Sequence, residues 1–242
     1  MNLIILAAGK GERLYPLTRN TPKSLLDLGN GQSILEHQIE WAKSTNEIKK
    51  IIIITGYLSD QIESKIKALK KQIDIEVVYN PYYNITNNLM SLWTISNIKF
   101  DNDILISNGD NIYKSPFFKK PTDNGFYLTI SKKESYDEDD MKVSLSNNLV
   151  QKVNKKIKLE NTDAESIGLF QIIGEKEQAI FKKKLISCAK DEAFHQVFWL
   201  EVINELIKDG IPISTFEIEA NQWSEIDYHP DINNIKQHIK DL

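Results

Sequence analysis

The chain has 242 residues, which is long enough for one large α/β domain with a sizeable core. Hydrophobic residues make up 41% of the chain and charged residues 26%, and the formal net charge of −4 excludes a global basic field that would draw the protein to nucleic acid or anionic lipid. The single cysteine, Cys188, excludes an intramolecular disulfide and a cysteine-based metal site.

The N-terminal residues 1–9 are apolar, but this run is too short to span a membrane and lacks the basic start of a signal peptide. We therefore expect a soluble, cytoplasmic protein with no membrane partner.

Aliphatic runs alternate with helical spacing through the first half of the chain. Continuous apolar runs, typical of strands buried on both faces, occur at residues 3–6, 51–54, 75–78 and 104–106. Apolar spacing predicts helices at residues 34–42, with Ser33 as the N-cap, and at 59–71. Because strands that alternate with helices form right-handed crossover units, we expect an α/β, Rossmann-like three-layer fold with a mainly parallel central sheet.

The pattern loosens after Asp110. We predict a small antiparallel extension from strands at residues 126–130, 141–145 and 149–153. Helices are predicted at 175–187 and 196–208, then a strand at 213–218 and a closing helix at 231–239. The acidic run at 134–140 is either a solvated loop or a lid. No linker or repeat divides the chain, so we expect one domain over residues 1–242.

A glycine-rich loop follows the first predicted strand. It consists of Leu6-Ala7-Ala8-Gly9-Lys10-Gly11-Glu12-Arg13-Leu14, with Thr21-Pro22-Lys23 further on. Glycines allow a close backbone approach to a ligand, and backbone N–H groups in such a turn can hold phosphates, with Arg13 and Lys23 as cationic donors. Leu14 excludes the dinucleotide fingerprint, and the residues after Gly9 exclude a P-loop. By itself, Gly-x-Gly could also be a plain tight turn.

Two distant acidic groups are candidates for a magnesium site. Asp110 follows the strand at residues 104–106, while Glu225 and Asp227 would lie on one face of an extended segment. Mg²⁺ usually takes one or two protein carboxylates together with waters and substrate phosphates. Taken singly, each aspartate could equally be a turn or cap residue.

The loop and the aspartates together resemble the signature of the sugar-phosphate nucleotidyltransferase superfamily. The string from Leu6 to Thr18 and on to Pro22-Lys23 follows that pattern without a gap. The resemblance implies that Arg13 contacts the β- and γ-phosphates of an NTP and Lys23 the α-phosphate region, which makes both catalytic candidates. It further implies that Asp110 and Asp227 hold Mg²⁺, with Glu225 either supporting them or structural. The implied nucleotide contacts from the loop are Leu6, Ala7, Ala8, Gly9 and Gly11, joined by Asp110.

The segment at residues 80–93 resembles the CTP-using branch, which includes phosphocholine and aminoethylphosphonate cytidylyltransferases. It contains Asn-Pro-x-Tyr, then Asn-Asn and Ser-Leu, where sugar-specific members carry a glycine-rich stretch. This resemblance implies that Asn80 and Asn88 contact the nucleotide and that Asn88 also reaches the acceptor. Asn87 is equally a helix-cap candidate.

Two later segments also resemble this branch, residues 138–143 and the pair 153–157 and 165–168. They imply that Lys142, Lys155 and Glu165 bind the acceptor, although each lysine could be merely solvated. The nucleotide half would be about residues 1–110 and the acceptor half about 111–242.

The resemblance implies a Mg²⁺-dependent cytidylyltransferase that moves CMP from CTP to a small acceptor and releases pyrophosphate. The acceptor would be phosphocholine, aminoethylphosphonate or a phosphorylated amino-acid amide, used in decorating a surface polysaccharide or lipid. The expected partners are CTP and this acceptor, without nucleic acid; a homodimer is left open. The alternatives are a sugar-1-phosphate uridylyl- or thymidylyltransferase and an inactive nucleotide-sensing domain.

Overall fold

The computed structural model describes residues 1–69, 73–114 and 117–227. Its main feature is a nine-stranded sheet in the order β3-β2-β1-β4-β9-β6-β10-β8-β7. The first four positions are parallel strands at the predicted apolar runs, namely β1 (Asn2–Ala7), β2 (Lys50–Thr55), β3 (Asp74–Tyr79) and β4 (Ile104–Asn108). The aliphatic side chains of β1 and β2 are buried on both faces, which explains their continuous apolar sequence.

Helices cover both faces of this parallel part. One face packs α1 (Ile34–Ser44) and α2 (Ser59–Leu69), and the other packs α3 (Asn88–Trp93) and α4 (Glu175–Ala189). The helix α5 (Glu201–Lys208) packs beside α4 and against the strand Leu149–Val153. The predicted three-layer arrangement is confirmed. Ser33 caps α1 in a capping box with Glu36, as predicted.

The predicted helix at 196–208 is wrong at its start. Residues Glu192–Phe194 form a 3-10 turn, and the chain becomes α-helical only at Glu201. Backbone and side-chain groups of 195–199 instead bond to residues 85–88, which explains the late start. The predicted closing helix at 231–239 lies outside the described residues.

The second half of the sheet corrects the prediction of a mainly parallel sheet. Five of the nine strand pairings that the large sheet makes in the described ranges are antiparallel. β7 also pairs with β9, which closes five strands into a small barrel. These strands are β6 (Gly125–Ser131), β7 (Lys142–Ser146), β8 (Leu149–Val153), β9 (Ala164–Ile173) and β10 (Ile213–Ile218).

The prediction of a mainly parallel sheet is wrong mainly because the strand β9 was not predicted. It lies antiparallel between β4 and β6, and all ten of its residues are buried. A fully buried strand has no alternation, and burial carries no information about strand direction. The strand predicted at 213–218 is confirmed, and it is parallel to β6.

A separate two-stranded ladder was also missed because both strands have three residues. It pairs β5 (Asn111–Tyr113) antiparallel to β11 (Trp223–Glu225). The ladder brings the end of β4 next to a segment more than a hundred residues later in the chain. Among the helices that the structure describes, none has the length and apolar character needed to cross a bilayer.

Candidate active site

The glycine-rich loop leaves the carboxyl end of β1. Gly11 has a left-handed φ of +64°, and the 3-10 turn Glu12–Leu14 follows it. A side chain on Gly11 would begin 3.0 Å from Cβ of Lys23. The loop therefore turns tightly against the turn that carries Lys23, and glycine at this position provides both the dihedral and the space.

Lys23 lies between two carboxylates. Its Nζ is 2.7 Å from Oδ2 of Asp110 and 3.2 Å from Oδ1 of Asp227, and Arg13 forms an ion pair with the same Asp227. Burial acts to lower the pKa of Lys23, but Asp110 and Asp227 outweigh it and the pKa lies above its ordinary value. Lys23 is therefore a permanent cation and unsuited to act as a base.

The β5–β11 ladder brings the acidic groups together. Glu225 pairs with Asn111, and the backbone N–H of Ile226 donates to the carbonyl of Asp110 at 3.2 Å. Oxygen atoms of Asp110, Glu225 and Asp227 lie within 4.8 Å of one another. The prediction that Glu225 and Asp227 approach Asp110 thus has a structural basis in a ladder that the sequence did not reveal.

This acidic cluster fits a hard divalent cation. Oδ1 of Asp110 is buried and makes no hydrogen bond with the described residues. Glu225 has accessible surface in the cleft, yet desolvation by the crowded walls, followed by repulsion from Asp110, raises its pKa to about 8. A cation would satisfy the buried oxygen and offset the repulsion, and carboxylate oxygen is the donor type that Mg²⁺ prefers.

A cleft of about 1190 Å³ surrounds these groups. Two predicted site residues, Asn80 and Lys142, lie outside its lining. The predicted residues that line it are Leu6, Ala7, Ala8, Gly9, Gly11, Arg13, Lys23, Asn88, Asp110, Lys155, Glu165 and Asp227.

Asn80 and Lys142 lie behind the walls of the cleft and stabilise segments of these walls by hydrogen bonds. The fully buried Asn80 side chain donates to Oγ of Ser91 at 3.0 Å and accepts from the backbone N–H of Tyr82 at 2.8 Å. Lys142 is buried and donates to the carbonyls of Glu138 and Lys155 at 2.9 and 3.0 Å. In this arrangement both side chains fix loops of the walls.

The cleft is also lined by a lysine, Lys133, that was not predicted from the sequence. Nζ of Lys133 lies 2.8 Å from Asp140 and 2.7 Å from Glu165. Burial raises the pKa of Glu165 to about 7 although Lys133 opposes the shift. No motif marked Lys133, because it is one of many lysines and its partners come from other segments.

The acidic run contributes Asp137, Glu138, Asp139 and Asp140 to the lining of the cleft, and Asp140 lies beside Lys133. Lys155 lies 3.4 Å from Asp139, and its ammonium stands 5.5 Å from the ring centre of Phe198. Carboxylates therefore outnumber ammonium groups here, and an aromatic face is present beside them.

Asn88, Trp199 and Asn108 form a connected group behind Asp110. Asn87 caps α3, as the helix-cap alternative proposed, while Asn88 accepts from the backbone N–H of Trp199 at 2.7 Å. The indole Nε1 of Trp199 donates to Oδ1 of Asn108 at 2.9 Å. Gly168 has a φ of +68°, and a side chain there would overlap with Nδ2 of Asn108.

Gly168→Ala is expected to destabilise the protein more than Gly210→Ala. Both glycines have positive φ, so each substitution incurs roughly 1–2 kcal/mol of backbone strain, but only Gly168 lacks room for a methyl group. Overpacking against Asn108 should add about 1–3 kcal/mol. Urea denaturation of both variants measures the difference. Equal losses in unfolding free energy would show that Asn108 moves away without cost.

Comparisons with known proteins identify the family and the fold. A family model described as nucleotidyl transferase matches residues 2–159. The chain is 27% identical to a choline-phosphate cytidylyltransferase of Streptococcus pneumoniae over 99% of both chains. It is also 27% identical to a CTP:phosphoglutamine cytidylyltransferase of Campylobacter jejuni, over 96% of this chain and 98% of that one. A solved structure of CTP:phosphocholine cytidylyltransferase from Streptococcus pneumoniae superposes with a TM-score of 0.79 and 25% identity, covering 98% of both chains.

Proposed function

The chain belongs to the nucleotidyl transferase family and is a nucleotidyltransferase, and we propose that it is a Mg²⁺-dependent cytidylyltransferase. In this proposal it transfers CMP from CTP to a small phosphorylated or phosphonate acceptor with a cationic group and releases pyrophosphate. The observation that carries the proposal is the meeting of the glycine loop, Lys23 and the carboxylates of Asp110 and Asp227 in one cleft that is also lined by the carboxylates of residues 137–140 and by Phe198.

The triphosphate is assigned to the end of the cleft formed by the glycine loop. Backbone N–H groups of the loop at residues 8–11 and the charges of Arg13 and Lys23 suit phosphate oxygens. Asp110 and Asp227, with Glu225 beside them, would hold Mg²⁺. When bound, the ion would offset negative charge on phosphate oxygens.

The cytosine base is assigned to the wall at residues 83–88. This wall lies beside the glycine loop, because a side chain on Gly56 would begin 2.5 Å from Cβ of Tyr83 and 2.7 Å from the carbonyl of Ala8. Amides of Asn84, Asn87 and Asn88 on the wall offer donors and acceptors for a ring edge. The CTP-using relatives support the choice of cytosine.

The acceptor is assigned to the end lined by residues 137–140. Its carboxylates and the face of Phe198 favour an amine or quaternary ammonium group. Lys155 lies at the same end and can contact the acceptor phosphate. These assignments make residues 1–110 mainly the nucleotide half and 111–242 mainly the acceptor half of one domain.

In this arrangement the protein promotes the reaction mainly by positioning the substrates, rather than by forming a covalent bond to them. An acceptor oxygen attacks the α-phosphorus of CTP, a new P–O bond forms, and the bond to the β-phosphate breaks. A phosphate oxygen is already ionised at neutral pH, so no general base is needed. Lys23 remains a cation and stabilises charge on the oxygens around the reacting phosphorus.

We expect CTP to be the preferred nucleotide. A site that hydrogen-bonds one ring edge rejects analogues that leave its polar groups unpaired, so kcat/KM for CTP should exceed that for UTP, dTTP or ATP by at least about tenfold. The measurement is pyrophosphate release with each NTP, Mg²⁺ and a panel of acceptors: phosphocholine, phosphoethanolamine, aminoethylphosphonate, phosphorylated amino-acid amides and glucose 1-phosphate.

The panel also separates the rival functions. Preference for UTP or dTTP with glucose 1-phosphate would establish a sugar nucleotidyltransferase and reject the proposal. Failure to release pyrophosphate from any pair would favour a nucleotide-sensing domain. A Lys23→Met preparation, purified identically, controls for contaminating activity.

A further inference from the structure

A strap of residues 195–199 lies against the wall of the cleft at residues 85–88. Asn87 N–H donates to the carbonyl of His195 at 2.8 Å, and Gln196 Nε2 donates to the carbonyl of Ile85 at 2.6 Å. The backbone N–H of Trp199 donates to Oδ1 of Asn88 at 2.7 Å. The strap is thus attached to the wall at residues 85–88 through His195, Gln196 and Trp199.

Trp199 extends this attachment to the end of β4. Its indole Nε1 donates to Oδ1 of Asn108, two residues before Asp110. An indole N–H is only a donor, so Asn108 must present its oxygen to Trp199 and its amide nitrogen elsewhere. That nitrogen occupies the space next to Gly168, which fixes the amide from its other side.

The end of β4 has little freedom to relax around this contact. Gly109 follows Asn108 directly, and a side chain on it would overlap with the carbonyl of Leu6 in β1. The carbonyl of Asn108 accepts from Gln38 at 2.9 Å. A displacement of Asn108 would therefore be passed to the backbone that carries Asp110.

The Trp199 ring itself is anchored. It has no exposed surface, and its centre lies 6.1 Å from the ring of Phe170 in β9. Trp199 forms part of the wall of the cleft but offers a substrate no exposed surface.

We propose that Trp199 is a positioning residue for nucleotidyl transfer. Its two N–H groups hold Asn88 on the nucleotide wall and Asn108 beside Asp110. They thereby fix the distance between this wall and the carboxylate of Asp110. Trp199 acts through these two asparagines. It affects the geometry in which the substrates react more than the affinity for either substrate.

The test replaces Trp199 by phenylalanine, which retains a buried ring and the backbone N–H but removes the indole N–H. We expect kcat to fall about five- to tenfold, the typical effect of one hydrogen bond, with less than a twofold change in KM for the NTP. Trp93→Phe is the matched control, because Trp93 is half-buried on α3 and packs against the same hydrophobic core. It should change neither quantity by as much as twofold.

A double-mutant cycle identifies Asn108 as the residue through which Trp199 acts. Trp199→Phe in the Asn108→Ala background should change kcat less than twofold, since the hydrogen bond is already absent. Independent, multiplicative effects on kcat would overturn the proposal. So would a lower melting temperature of Trp199→Phe with wild-type kcat, since that result describes a purely structural residue.

A second readout needs no substrate. Amide hydrogen exchange in peptides covering 85–88 and 195–199 should be faster in Trp199→Phe and unchanged in Trp93→Phe. Unchanged exchange in both variants would also reject the role. The kinetic comparison uses whichever NTP and acceptor give pyrophosphate, so a preference other than CTP would reject the proposed specificity and leave the Trp199 test intact.

Discussion

Asp110→Asn is expected to lower kcat by about a hundredfold or more, which corresponds to about 3 kcal/mol of transition-state stabilisation. The substitution keeps the shape of the side chain but removes the negative charge that pairs with Lys23, and it replaces one of the two oxygens available to Mg²⁺ by an amide nitrogen. Pyrophosphate release at saturating substrates measures the loss, and Mn²⁺ titration of the substrate-free protein by calorimetry measures cation affinity.

Asp101→Asn provides the control, because Asp101 is exposed and does not line the cleft. It should retain wild-type turnover and cation affinity. If Asp110→Asn kept a near-normal kcat with Mg²⁺ limiting, Asp110 would have to be removed from the metal site. A loss of kcat with unchanged Mn²⁺ affinity would instead limit Asp110 to the orientation of Lys23.

Lys23→Met should also lower kcat by a hundredfold or more, with a smaller loss of CTP affinity. The variant retains an unbranched side chain against Gly11 but removes the ammonium between Asp110 and Asp227. If this charge acts on the reacting phosphates, its contribution is greater in the transition state than in the ground state. Stopped assays give kcat, and calorimetry with CTP and Ca²⁺ gives affinity.

Two further variants make the Lys23 test specific. Lys23→Arg should recover little activity, because a planar guanidinium does not occupy the place of a compact ammonium. Arg13→Met should mainly weaken CTP binding, as expected for a contact to the β- and γ-phosphates. Should Lys23→Met lose CTP affinity in full proportion to kcat/KM while kcat is intact, Lys23 is a binding residue and its catalytic role is wrong. Circular dichroism confirms that each variant is folded.

The parallel strands and the cap of α1 could be predicted because their signals are local. The continuous isoleucines of β2 and the Ser33–Glu36 box each act within a few residues. The strands β6, β7 and β8 were predicted as a small antiparallel extension and are present, but the full extent of the antiparallel half was not predicted. β9 owes its place to pairing with β4 and β6, and neither its direction nor its neighbours appear in its own sequence.

The candidate site shows the same division. The glycines and Lys23 form a recognisable string, but the approach of Asp110 to Asp227 depends on the β5–β11 ladder of three residue pairs. Lys142 illustrates the opposite case. Its sequence neighbourhood suggested a substrate contact, while the structure uses its ammonium to hold two backbone carbonyls. Whether a lysine is buried depends on the whole fold, and no pattern in the neighbouring sequence indicates it.

The ladder also determines when the cluster of Asp110, Glu225 and Asp227 can form during synthesis of the chain. Lys23 is separated by 87 residues from Asp110 and by 204 from Asp227. As the chain leaves the ribosome, the glycine loop and Asp110 emerge long before β11. A nascent chain of 200 residues can therefore carry the glycine-rich loop and the carboxylate of Asp110, but not that of Asp227. The glycine-rich loop, Asp110 and Asp227 come together only when β11 pairs with β5. This pairing is among the last contacts in the described chain to become available.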